Sequence, residues 1–162
     1  MQLELARATA IAVASAAAAY DLRTRRIPNW LTGLAVLTGL AVNLGVAGMP
    51  GLAASAGGAA LGLAMLLPFY ALRGVHAGDV KLLAALGALL GPQVLIGVAL
   101  YGALVGGVLS FVVLISRGHL GLMLRELVVL QRLPTPSGAT APYGVAIAAG
   151  LYLSIALPAL AV

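Results

Sequence analysis

Only four acidic residues occur among the 162 of this chain, and two of them, Asp21 and Asp79, stand where very apolar runs meet short polar stretches. Asp21 lies in YDLRTRRIPNW and Asp79 in HAGDVKLLAALG. Carboxyl groups at membrane depth are costly to keep, which makes them functional candidates with a partner to be found. Two carboxyls brought close together cannot both ionise cheaply, so they share a proton. Such a pair can hydrolyse an amide: the ionised member takes a proton from water while the protonated member polarises the carbonyl. It can also carry protons in a small proton-coupled carrier, and the residues by themselves leave both open. Each aspartate has a plainer reading as well. Asp79 follows Gly78 and opens an apolar run, as a helix N-cap would. Asp21 could pair with Arg23, Arg25 or Arg26, although a carboxylate at a helix C-terminus faces the negative end of the dipole.

The elements that must position these residues are membrane helices. The chain is 62% hydrophobic and 8% charged, a composition that predicts an all-α, polytopic integral membrane protein formed as a single unit, 1–162. Six apolar runs are expected to span: Leu3 to Tyr20, Trp30 to Ala47, Leu52 to Leu72, Val80 to Leu90, Val94 to Ile115 and Tyr143 to Leu160. Breaks are predicted around Pro28 and Asn29, Gly48 to Gly51, Gly74 to Gly78, Gly91 with Pro92, and Pro134 to Gly138. The fourth run is short. From Asp79 to Gly91 it reaches about 20 Å, against a hydrocarbon core of about 30 Å, so one end must be submerged.

The net charge of +5 sits in the polar breaks, where it sets topology and does not imply nucleic acid. Arg23, Arg25 and Arg26, then Arg73 and Lys81, then Arg117, Arg125 and Arg132 fall after alternate spans, which predicts that these loops are cytoplasmic and that both termini face away. Arg23, Arg25 and Arg26, directly after the first run, argue against a signal peptide, the rival reading of that run. The stretch 117–133 reads either as an interfacial helix or as a connector packed on the spans. Small residues such as Gly58 and Gly62 permit close helix contacts. With no cysteine and only His76 and His119 as imidazoles, neither a metal nor another cofactor is expected.

The two motifs also carry a family resemblance. DLRTRRIPN, Asp21 to Asn29, resembles the first motif of type IV prepilin peptidases, and AGDVKLLAALG, Ala77 to Gly87, resembles the second, which belongs to the GxGD class of intramembrane aspartyl proteases. PYGVAIAAG, from Pro142 to Gly150, is similar to the last-span segment of the same family. The resemblance implies that Asp21 and Asp79 are catalytic, that the site faces the cytoplasm of a bacterial inner membrane, and that the substrate is a prepilin losing its leader peptide. His76 occupies the position of the first glycine of GxGD. The cysteine-bearing insert that larger members use for N-methylation has no counterpart among these residues, so the chain resembles the compact peptidases of tight-adherence (Flp-type) pili.

The remaining motif residues, Gly78, Lys81, Pro28 and Asn29, are expected in support. Pro28 suits the first turn of the second span. Asn29 can cap a helix or bond across the loop. Lys81 can moderate the charge of Asp79 or snorkel to the interface. The dipoles of the two helices predict that Asp79 rests as the ionised base and Asp21 as the protonated acid. An inactive assembly factor of a pilus or secretion system is the remaining alternative to peptidase and carrier.

Overall fold

The computed structural model describes residues 2–72, 74–116 and 143–157, and among these every element is helical. Four helices follow one another: α1 (Gln2–Thr24), α2 (Asn29–Ala71), α3 (Ala77–Ser116) and α4 (Tyr143–Ala156). The stretch 117–133, with its two alternative readings, lies outside the described residues, as do Arg73 and His119.

Two helices are bent so sharply that each forms a pair of legs. The bend in α2 is Gly48, with φ +66° and ψ −143°, and that in α3 is Gly91, with φ +79° and ψ +171°. Both need a backbone that L side chains rarely adopt, which glycine supplies without a Cβ penalty. Within a straight helix Asn43 and Ser55 would be separated by about 18 Å. Here both donate to the same carbonyl, that of Ala88, at 3.0 and 2.6 Å. The chain therefore doubles back at Gly48. It does so again at Gly91, because Leu95 returns to lie against Gly87.

The first leg of α3 is the axis of the bundle: Leu82 to Leu89 are buried on every face. The second leg of α2 runs antiparallel along it, Gly62 against Leu83 and Ala84, Gly58 against Gly87. Any side chain at Gly58 or Gly87 would collide with the opposing backbone, so the small-residue spacing expected to permit close contact serves that purpose. From α1 the alanine-rich face Ala10, Val13, Ala14 and Ala17 enters the same core, and from α4 come Ile147, Ala148 and Leu151.

The Ala88 carbonyl explains the hub. In a helix the carbonyl of residue i is served by the N–H of residue i+4, which for Ala88 is Pro92, and proline has none. An unserved carbonyl is costly in an apolar interior. Ser55 Oγ, fully buried, and Asn43 Nδ2 replace the missing donor, and the same amide nitrogen reaches the Leu89 carbonyl at 3.4 Å.

Among the described residues the runs expected to be separate thus fall within four helices. At Gly48 and Gly91 a single left-handed residue turns the chain and helical hydrogen bonding resumes at once, so no loop intervenes. Among the described residues three helices are long and apolar enough to cross a membrane, while Tyr143–Ala156 is apolar but shorter. Pro68 lies within α2 without ending it.

Candidate active site

One end of the bundle collects both motifs. Helix α1 ends where Arg25 adopts the left-handed conformation, φ +54°, and donates its N–H to the Asp21 carbonyl at 3.0 Å, a helix stop in which arginine stands where glycine is usual. The chain then crosses through Ile27, which is buried and rests on Gly78, and enters α2 at Pro28. Pro28 caps α2 from just outside its first turn, its carbonyl accepting from the N–H groups of Leu31 and Thr32 at 3.2 and 3.5 Å. Asn29 Oδ1 accepts from Lys81 Nζ at 3.0 Å. Lys81 is therefore directed to the first motif and not to Asp79, and this bond ties the α1–α2 corner to the start of α3.

Asp79 is 3% exposed and Asp21 6%, and each is fixed in the same manner. Asp79 Oδ2 accepts from the backbone N–H of His76 at 2.9 Å. Because α3 begins at Ala77, Asp79 is the third helical residue and reaches back to the residue that precedes the helix, one half of a capping box. The N-cap reading placed it one turn too early, since the apolar pattern starts only at Val80. Asp21 Oδ2 accepts from the backbone N–H of Gly144 at 2.9 Å, so Asp21, although it belongs to the last turn of α1, meets the opening turn of α4. Among the described residues no hydrogen bond reaches the other oxygen of either carboxylate. The two groups lie close enough for the charge of Asp21 to act on Asp79.

This arrangement adds a second helix end to the expected pair of dipoles. The sequence placed Asp21 against the negative end of α1 and Asp79 against the positive end of its own helix. In the structure Asp79 faces the N-terminus of α3, while Asp21, still in the last turn of α1, also faces the N-terminus of α4, whose field opposes that of α1.

Two participants were not among the residues expected to support the site. Gly144 is needed for closeness: a Cβ there would lie 3.0 Å from both Cβ and Oδ2 of Asp21. Its only signal in the sequence is the resemblance of PYGVAIAAG to a last-span segment. His76 supplies the backbone donor, and its half-exposed ring stands with Nδ1 3.8 Å from Asp79 Oδ2. The ring also lines an open cleft of about 430 Å³ with Tyr70, Ala71, Val75 and Ala77. Neither aspartate lines this cleft, which adjoins the pair through His76. Among the described residues no three His, Asp or Glu side chains converge as a metal site requires.

Two buried carboxylates at one end of the bundle, each anchored through one oxygen by a backbone N–H, can share a proton and exchange it with water. No curated protein and no solved structure matches the chain. Residues 8–111, which include both aspartates and the axis of the bundle, match the type IV leader peptidase family, and the chain belongs to that family.

Proposed function

We propose that this protein is a membrane aspartyl endopeptidase that removes the leader peptide from a type IV or Flp-type prepilin at the cytoplasmic face of a bacterial inner membrane, without N-methylation. The observation that carries the proposal is the matched anchoring of Asp21 and Asp79, each buried and each with Oδ2 held by a backbone N–H. Six crossings fit this reading, with the legs on either side of Gly48 and of Gly91 counted separately and both termini outside the cytoplasm. The basic residues at the α1–α2 corner and Lys81 then lie on the cytoplasmic side with the carboxylates.

In the reaction one carboxylate, ionised, takes a proton from water as the water oxygen bonds to the scissile carbonyl carbon. The other, protonated, gives its proton to the carbonyl oxygen. When the C–N bond breaks, the proton taken from water passes to the leaving nitrogen, and the second carboxylate recovers a proton from a hydroxyl of the tetrahedral intermediate. The pair ends as it began, sharing one proton. No metal or organic cofactor enters these steps.

The test uses the purified protein in vesicles with a pilin precursor that has a glycine before its apolar helix. Asp21→Asn and Asp79→Asn should each abolish shortening of the precursor while leaving insertion unchanged, because the amide keeps the shape and can neither take nor share the proton. Turnover by either variant removes that residue from the mechanism. A wild-type protein that leaves the precursor intact returns the pair to proton transport or the chain to assembly.

A further inference from the structure

The corner that closes α1 and opens α2 carries side chains that the peptidase reading does not use. Arg23 and Arg26 are exposed, and among the described residues the ion pairs are Arg7 with Glu4 and His76 with Asp79, so neither arginine has a carboxylate partner. Beside them Tyr20 and Trp30 stand edge to face, ring centroids 6.5 Å apart at 87°. Both rings point out of the bundle, Tyr20 39% and Trp30 61% exposed, with Leu22 61% exposed between them. Lys81, also exposed, joins the corner through its bond to Asn29.

Each half of this patch fits a different part of one ligand. Aromatic rings with an apolar body and a polar edge settle at the level where acyl chains meet headgroups. Unpaired guanidinium groups at that level bind phosphate through parallel N–H donors. A zwitterionic headgroup supplies a phosphate together with a positive charge that these arginines repel, whereas an anionic headgroup supplies the phosphate alone. We propose that the α1–α2 corner is a binding surface for anionic phospholipid, with Arg23 and Arg26 on the headgroup and Tyr20 and Trp30 against the adjoining acyl chains. A lipid held there grips the chain on both sides of Asp21 and so sets the depth of that carboxylate in the bilayer.

Trp30 is the sole tryptophan of the chain, so its fluorescence reports on this surface and on no other. The protein is reconstituted in phosphatidylcholine vesicles that contain a fixed fraction of brominated lipid, either phosphatidylglycerol or phosphatidylcholine. At moderate ionic strength quenching should indicate association with phosphatidylglycerol about three- to tenfold stronger than with phosphatidylcholine. The preference should approach unity in about 0.5 M salt, where the Debye length falls to a few ångströms, and in the Arg23→Gln/Arg26→Gln variant. Equal quenching by the two lipids in the wild-type protein overturns the proposal, and so does a preference that survives removal of both arginines. The readout does not involve cleavage, so its failure and that of the peptidase reading are distinguishable.

Discussion

Replacing Gly144 with alanine puts a methyl group where Asp21 already stands. The added carbon would lie 3.0 Å from Cβ and Oδ2 of Asp21 and 3.2 Å from Cγ, while carbon atoms rest at about 3.5–4.0 Å. Either α4 or the carboxylate must retreat by about 0.5 Å. The bond from the Gly144 N–H, 2.9 Å long, then reaches the limit of hydrogen bonding. A hydrogen bond to a charged group contributes about 1.5–3 kcal/mol, and misplacement of a reacting group by about an ångström costs up to 100-fold in rate. The expected outcome is a fall in kcat for precursor cleavage of about 10- to 100-fold with little change in KM. Gly57→Ala is the matched control, because nothing lies within 4 Å of its added carbon, and it should cleave at the wild-type rate. Both proteins are assayed in vesicles after thermal unfolding has shown that they are folded. Gly144→Ala cleaving within twofold of wild type would show that the contact with α4 does not position Asp21.

Three further outcomes are expected. Ser55→Ala and Asn43→Leu should each lower thermal stability in detergent modestly, by about 1 kcal/mol, and their combination by more than the sum, because only the double variant leaves the Ala88 carbonyl without a side-chain donor; additive losses would show that the two do not share an acceptor. His76→Ala keeps the backbone N–H that anchors Asp79 and should retain cleavage within about fivefold, whereas a loss beyond 100-fold would assign chemistry to the ring. Reporter fusions after Arg26 and after Pro50 should report opposite sides of the membrane, and the same side for both would refute a crossing between them.

The sequence made the ends of the elements legible wherever backbone chemistry is local. Gly48 and Gly91 turn the chain where the apolar runs were expected to break, and Pro28 stands at the start of α2, although as its cap and not within its first turn. Pro68 stands inside an apolar run, and α2 continues through it. What the sequence withheld is long-range. Asp21 and Gly144 are separated by 123 residues, and nothing in periodicity or charge states which helix opens against which carboxylate. The dipole argument for acid and base considers only the helix to which each aspartate belongs, and the opening of α4 against Asp21 lies outside it. The start of α3 turns on a smaller effect: hydrophobicity begins at Val80, but the turn is set by Asp79 reaching back to His76, which adds Ala77, Gly78 and Asp79 to the helix.

The proline at position 92 has a consequence for how the protein is made. Its lack of an N–H leaves the Ala88 carbonyl dependent on two side chains that come from opposite legs of α2. The first leg of α3 is therefore not a self-sufficient unit in lipid, where each backbone polar group must find a partner. It is complete only when the hairpin around Gly48 has formed with Asn43 and Ser55 side by side. Synthesis proceeds from the N-terminus, so that hairpin has left the ribosome before Ala88 emerges, and it offers the two donors as the α3 leg enters the membrane. Chain order thus matches chemical need, and a rearranged chain in which α3 preceded α2 would have to hold this segment at the insertion machinery until its donors arrived.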